Sequence, residues 1–253
     1  MKAHGTLYLV PTPLDFGVTV ETPVSDVLPV ATLRTAAGLT HWVAENAKSL
    51  RAFLKRVDAV HPLPCPLQEM NVMELPRAVH KHGDHQGGFD ARPWLAAALD
   101  GHDMGLVSEA GMPAVADPGS SVVRAAHEMG LPVVPLVGPV SLLLALAASG
   151  LNGQQFAFVG YLPQDASQRL ARLKQLEQMA LKTGQSQIWI ETPYRNAAMM
   201  GALLQGLGAQ TRLCVASGLT LASQSVRTLT VAQWRLSPSG PDANTPAVFA
   251  IGA

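Results

Sequence analysis

The chain has 253 residues, and Lys plus Arg and Asp plus Glu both number 18, so its formal net charge is zero. That length holds one large or two medium domains with their own cores, so disulfide staples are not required, and the widely separated Cys65 and Cys214, without metal-like spacing, read as cytosolic thiols. Neutrality excludes the basic excess of a protein that wraps many phosphates and leaves room only for a local basic patch.

The amino terminus runs directly into a first strand, Thr6 to Val10, without the charged leader, long apolar run and cleavage site of an export signal. Thr40 to Ala44 is a second strand, Leu50 to Val57 a helix, and Pro62 to Pro66 and Gly83 to Gly88 are loops. A helix over Arg92 to Leu99 feeds the short apolar strand Met104 to Val107. That strand ends in Ser108-Glu109-Ala110-Gly111-Met112-Pro113 and continues to Asp117-Pro118-Gly119, after which helical spacing runs from Ser120 to Met129 with Ser120 or Ser121 as N-cap. Strand, glycine loop and helix in this order offer backbone N–H groups beyond a strand's carboxyl end, where open α/β sheets bind ligands. Taken alone, the same composition also suits a tight turn with no ligand.

Val133 to Leu151 has the length of a membrane span, but Gly138-Pro139 divides it into a strand, Val133 to Leu136, and a buried helix from Ser141 to Ala148 that stops at Gly150. Strand Phe156 to Val159, helix Arg169 to Met179, strand Gln187 to Ile190 and helix Asn196 to Leu204 follow. Leu213 to Ala216, Val226 to Leu229 and Ala247 to Ile251 are the last strands, with a surface turn at Ser237 to Thr245 before the final one. The alternation predicts an α/β fold of two α/β domains, 1–150 and 151–253, joined near Gly150 to Gln155.

Five separated motifs then fall in register with one family. Leu7 to Pro13, Val107 to Gly119, Val133 to Pro139 followed by Ser141, Gly160-Tyr161-Leu162-Pro163, and Ile190-Glu191-Thr192-Pro193-Tyr194-Arg195 resemble its signatures. The sequence is similar to the tetrapyrrole-methylase superfamily of S-adenosylmethionine-dependent methyltransferases, and within it looks most like the ribosomal RNA small subunit methyltransferase I group. The resemblance implies S-adenosyl-L-methionine as cofactor, folded in a cleft between the two domains, and a homodimer. It carries cofactor contact to Pro11, Ser108, Ala110, Gly111, Met112, Val140, Ser141, Tyr161, Thr192 and Pro246. Methyl transfer from a sulfonium is an in-line displacement that calls for positioning and charge stabilisation, and for no metal.

The departures bear on the acceptor. The group's Pro-Ile-Gly-Asn stands here as Pro13-Leu14-Asp15-Phe16-Gly17, and its Glu-Asp-Thr-Arg as Glu45-Asn46-Ala47-Lys48. Lys48 keeps the charge of the arginine but not its planar fork, and Met112 replaces a threonine hydroxyl. Glu109 replaces an aspartate, and the group's His-x-His-Asn segment resembles Gly83-Asp84-His85-Gln86, with the neighbouring His80 and His82 leaving a second register open. A ribose 2′-hydroxyl needs its proton removed as it attacks, so Glu45, Asp117 and His85 are the candidate catalytic bases, in that order. His80 and His82, on a polar loop without neighbouring cysteines, read as solvated rather than as metal ligands. Three readings stay open here: a methyltransferase on RNA of the small ribosomal subunit, one on a small tetrapyrrole-like molecule, and a donor-binding protein without turnover.

Overall fold

The computed structural model describes residues 3–15, 17–18, 21–76, 78–79, 84–85, 88–237 and 239–253. It divides into two compact units, the first holding the chain to residue 16 together with residues 21–139, the second holding residues 17–20 and 140–253. Phe16, His80, His82, Gly83 and Gln86 lie outside the described residues.

The first unit is built on a parallel sheet of β1 (Leu7–Leu9), β2 (His41–Ala44), β3 (Asn71–Glu74), β4 (Met104–Val107) and β5 (Val133–Pro135), in the order β3-β2-β4-β1-β5. β4 pairs with β1 on one side and β2 on the other, and all four of its residues are buried. A strand covered on both faces has no reason to alternate, which is why Met104 to Val107 reads as one apolar run. Around the sheet stand α1 (Val24–Val27), α2 (Val30–Gly38), α3 (Ala47–Asp58), α4 (Ala96–Leu99) and α5 (Ser120–Glu128). α3 buries Leu50, Phe53, Leu54 and Val57 along one face, and these pack with Leu33 and the fully buried Trp42.

Gly105 lies beside Trp42 in the sheet register, and a Cβ there would sit 2.4 Å from the Trp42 ring. Gly105→Ala is therefore expected to destabilise by about 1–3 kcal/mol through overpacking. Gly38, at the end of α2 with nothing within 4 Å of a built Cβ, provides the contrast. Gly38→Ala should be neutral, or stabilising by up to about 1 kcal/mol, because it narrows the unfolded ensemble. Urea midpoints at unchanged slope check both.

The second unit holds a mixed sheet of β6 (Phe156–Tyr161), β7 (Ser186–Glu191), β8 (Arg212–Ser217), β9 (Ser225–Thr230) and β10 (Ala247–Gly252), ordered β6-β7-β10-β8-β9. β6 and β7 are parallel, while β10 runs antiparallel to both β7 and β8. Its helices are α6 (Ser141–Ser149), α7 (Ala166–Thr183), α8 (Asn196–Gly206) and α9 (Val231–Leu236). Trp189, Trp234 and Phe249 anchor the core, the rings of Trp189 and Phe249 stacking at 6.1 Å.

The structural boundary falls after Pro139, not at the 150/151 join taken from the sequence. α6 explains the difference: it packs against β7, β8, β9 and β10, burying Leu142, Ala145 and Leu146, before Gly150 ends it in the left-handed conformation. Composition shows the polar stretch after Gly150 but not which sheet an all-round apolar helix will cover. Among the described residues no helix is long and apolar enough to cross a membrane.

Other differences are local. Arg92 to Leu99 is a 3-10 turn, Arg92–Leu95, leading into α4, because Pro93 sits in its first turn. α1 and α2 follow Pro23 and Pro29, which break the helical spacing from which a longer element would be read. β3 offers just two half-buried apolar residues at a sheet edge. The serines expected to cap α5 lie inside it: Gly119, at φ 133, occupies the cap position.

Candidate active site

Three neighbouring strands, β2, β4 and β1, deliver Glu45, Ser108 and Pro11 to the same sheet edge, because parallel strands share one carboxyl end. Pro11 is buried, and Gly138 admits it closely: a Cβ on Gly138 would lie 2.3 Å from Pro11 Cγ. Thr12 then pairs with Gly111 through two backbone hydrogen bonds, Thr12 N–H to Gly111 O at 2.9 Å and Gly111 N–H to Thr12 O at 3.1 Å. The loop after β1 is thereby stitched to the loop after β4.

The loop from Ser108 to Gly119 is held in conformations that L-residues resist. Gly111, Ala114, Ala116 and Gly119 all have positive φ, at 77, 62, 67 and 133°. Two alanines in the left-handed region cost of order 1–3 kcal/mol each, so the surroundings must fix the loop. Asp84 is the main fixing group. Its buried carboxylate accepts from the backbone N–H groups of Gly119 and Ser121 at 2.9 and 2.8 Å, and from the hydroxyls of Ser120 and Ser121 at 2.7 and 2.6 Å. Burial alone would raise the Asp84 pKa, but these hydrogen bonds outweigh it and hold the carboxyl below its ordinary value. Asp84 thus caps α5, leaving Asp117 for another task.

Asp117 sits half-buried in an acidic cluster. Burial, then the charge of Glu45 and that of Glu109, push its pKa up to about 7 against the pull of a hydrogen bond with Ser108. The cluster is tied together: Glu45 Oε2 accepts from the Glu109 backbone N–H at 3.1 Å, and Ser49 Oγ donates to Glu109 Oε1 at 2.9 Å. Ser108 is buried, and its carbonyl accepts from the Thr12 hydroxyl at 3.4 Å. Asn46 takes over helix capping in the altered segment, accepting from the N–H groups of Lys48 and Ser49 at 2.9 and 3.3 Å. Asp15, another departure, is buried and held bidentately by Arg56 at 3.0 and 2.8 Å.

The sequence candidates therefore separate. Glu45 and Asp117 meet around Ser108, with Ala110, Gly111 and Met112 on the adjoining loop. His85 is exposed and is anchored through its carbonyl, which accepts from Arg124 at 3.1 Å. Among the described residues no hydrogen bond or ion pair joins its ring to the acidic cluster, and no group of three His, Cys, Asp or Glu side chains is spaced to hold a metal. Met112 instead lines an open, largely apolar depression of about 670 Å³ with Leu9, Val115, Val123 and Pro135.

In the second unit, Val140 is the N-cap residue of α6 and Ser141 its first residue. Thr192 donates its N–H and hydroxyl to the buried Glu191 carboxylate at 2.8 and 3.2 Å, and Arg195 pairs with the other oxygen at 3.1 Å. Tyr161 is 55% exposed. Pro246 is exposed, and its carbonyl accepts from Gly218 N–H at 3.2 Å. The fully buried Asn196 holds the approach to Pro246 by donating to the carbonyls of Asp242 and Thr245 at 2.8 and 2.9 Å. Asp84, Ser49 and Asn196 are supporting residues that the sequence left unassigned. The only signal for Asp84 was its place in a glycine-flanked loop of a quoted motif.

Comparison with known proteins adds a family. The family model of tetrapyrrole (corrin/porphyrin) methylases matches residues 42–234. A ribosomal RNA small subunit methyltransferase I of Mesorhizobium japonicum is 36% identical over 166 residues, 65% of this chain, and the chain spans about half the length of that relative, 54%. Its counterpart from Pseudomonas aeruginosa is 28% identical over 252 residues, 98% of this chain and 79% of its own. Among solved structures, the uroporphyrin III C-methyltransferase of Thermus thermophilus aligns with a TM-score of 0.55 at 15% identity, covering 98% of this chain and 97% of its own. The methyltransferase CobJ aligns at 0.54 and 16%, covering 100% and 94%. At such identities these structures bear on the fold.

Proposed function

The chain belongs to the tetrapyrrole (corrin/porphyrin) methylases, and from that membership we propose that it is an S-adenosylmethionine-dependent methyltransferase whose acceptor is a ribose hydroxyl of small-subunit ribosomal RNA. The observation that carries the reading is the cluster of Asp117, Glu45 and Glu109 around Ser108 at the carboxyl edge of the parallel sheet. The names of the relatives from Mesorhizobium and Pseudomonas support the choice of acceptor.

The residues present suit the donor. Its sulfur and its amino group are cationic, and three carboxylates lie where they would favour positive charge. Ala110 and Gly111 are small, and Gly111 adopts a positive φ with Leu14 3.1 Å from where a Cβ would project, so backbone rather than side chain faces the space beside it. In the first unit we assign Pro11, Ser108, Ala110, Gly111 and Met112 to donor binding. Val140, Ser141, Tyr161, Thr192 and Pro246 are assigned to it on the family resemblance. When bound, S-adenosylmethionine supplies an electrophilic methyl group on a positively charged sulfur.

This chain's residues handle the proton. Asp117 is the general base in the proposal, because a carboxyl titrating near 7 is ionised enough to accept a hydroxyl proton and basic enough to hold it. Burial, aided by the charges of Glu45 and Glu109, keeps that pKa raised, while Ser108 orients the carboxylate. Glu45 becomes a positioning residue, since its carboxylate is engaged with the Glu109 N–H.

Calorimetric titration with S-adenosylmethionine tests the donor half of the proposal. The wild-type chain is expected to bind, and Gly111→Ala, which forces a side chain into the left-handed region against Leu14, to bind about tenfold or more weakly. No heat of binding at about 1 mM donor, corresponding to an affinity weaker than ~4 kcal/mol, would contradict it.

A further inference from the structure

The described surface of α3 carries a charge pattern that the donor site does not use. Lys48, Arg51 and Lys55 are all exposed and, with Ala52, Leu67 and Gln68, line a groove of about 410 Å³. The opposite face of the same helix is buried through Leu50, Phe53, Leu54 and Val57, so the cations are fixed on the solvent side by the helix's own amphipathic pattern. Among the described residues none of the three has a hydrogen-bond or ion-pair partner for its side chain, whereas Arg56 on the same helix is fully engaged with Asp15 and Thr22. In a chain of zero net charge, three cations along one groove with no side-chain partner among the described residues are a concentrated feature.

The groove is also joined to the acidic cluster. Glu45 directly precedes Asn46, the N-cap of α3, and Ser49, in the helix's first turn, donates to Glu109. Lys48 to Lys55 spans about 10 Å of helix, long enough to face more than one phosphate of a single strand.

We propose that the Lys48, Arg51 and Lys55 groove docks the phosphate backbone of a single-stranded RNA segment and leads its ribose toward the Asp117 cluster. The inference rests on the methyltransferase reading for its purpose, but its binding test stands apart. Cations contact phosphates without reading bases, so the groove supplies affinity and register rather than sequence choice. Lys48 in place of a bidentate arginine fits this use, as a point charge that tolerates varied phosphate geometry.

The test is binding of a fluorescent single-stranded RNA oligonucleotide to the full chain across a range of salt. The triple variant Lys48→Ala, Arg51→Ala, Lys55→Ala is expected to lose about tenfold or more in affinity. Its slope of log affinity against log salt should fall by about 2, three contacts at ~0.7 each. Thermal melting and S-adenosylmethionine affinity should stay unchanged, since these side chains are exposed and outside the donor residues. Equal affinity and slope in the triple variant overturn the proposal. So does an equal loss in Lys174→Ala, Lys182→Ala, which removes exposed cations from α7, or wild-type binding to polyglutamate as tight as to RNA. Failure of the donor titration would instead strike the methyltransferase reading, and leaves the RNA result to be judged by itself.

Discussion

Asp117→Asn is expected to lower kcat at pH 8 by about 100-fold or more, the loss typical of removing a general base, with a much smaller change in donor affinity. The pH dependence carries the sharper signature. With the Asp117 carboxyl of the free chain near 7, wild-type kcat/KM should rise about tenfold per pH unit on the acid side and level off above pH 7. The asparagine variant should lack that limb. Stability moves the opposite way. A carboxyl raised from 3.8 to about 7 is protonated more readily in the folded state, so its stabilising contribution is present below 3.8 and is lost as pH rises through 7. Because the group is half-buried, solvent screening reduces the effect, and Asp117→Asn should stabilise by up to about 2 kcal/mol at pH 8 and hardly at all at pH 4. A variant that loses activity and gains stability is the mark of strain kept for function. Rates from pH 5 to 9, with melts at both ends, check the pair of outcomes.

Asp84→Ala should have the largest effect on stability, about 3 kcal/mol, because it strips four donors at the start of α5 of a common buried acceptor. Two of those donors are backbone N–H groups that the helix leaves unpaired. The depressed pKa of Asp84 means that this contribution is in place above the ordinary carboxylate range and is lost as pH falls through the lowered value. The deficit of the variant should therefore be widest at neutral pH and shrink in acid. Since Gly119 also ends the strained loop, the variant should bind S-adenosylmethionine more weakly as well. Urea titrations at pH 7 and at a pH well below 3.8 decide the matter, and equal deficits at both would contradict the role given to its charge.

What the sequence made legible follows from what is local. The run Met104 to Val107, the Gly138-Pro139 break and the Gly150 stop announce themselves because apolar periodicity and turn chemistry are properties of neighbouring residues. The loop from Ser108 to Gly119 was marked by its small and acidic residues, but the conformations of Ala114 and Ala116 were not, since nothing in an alanine predicts a positive φ. Asp84 and Asp117 looked alike as loop aspartates. One lies among four donors and the other beside two carboxylates, and those environments come from residues 35 or more positions away in one case and 8 to 72 in the other. The Asn46 substitution looked like a lost acid, yet the side chain still caps α3. Lys48 looked like a weakened anion contact, and becomes informative once Arg51 and Lys55 stand beside it in the groove.

The proposed reaction carries a methyl group from S-adenosylmethionine to ribosomal RNA with Asp117 as base. Its most direct test is transfer of a labelled methyl group to small ribosomal subunits by the wild-type chain and by Asp117→Asn. The account predicts label recovered as a 2′-O-methylated ribose with wild type, and at least about 100-fold slower incorporation with the variant. Label found solely on small molecules of a cell extract, or equal incorporation by both proteins, would contradict it.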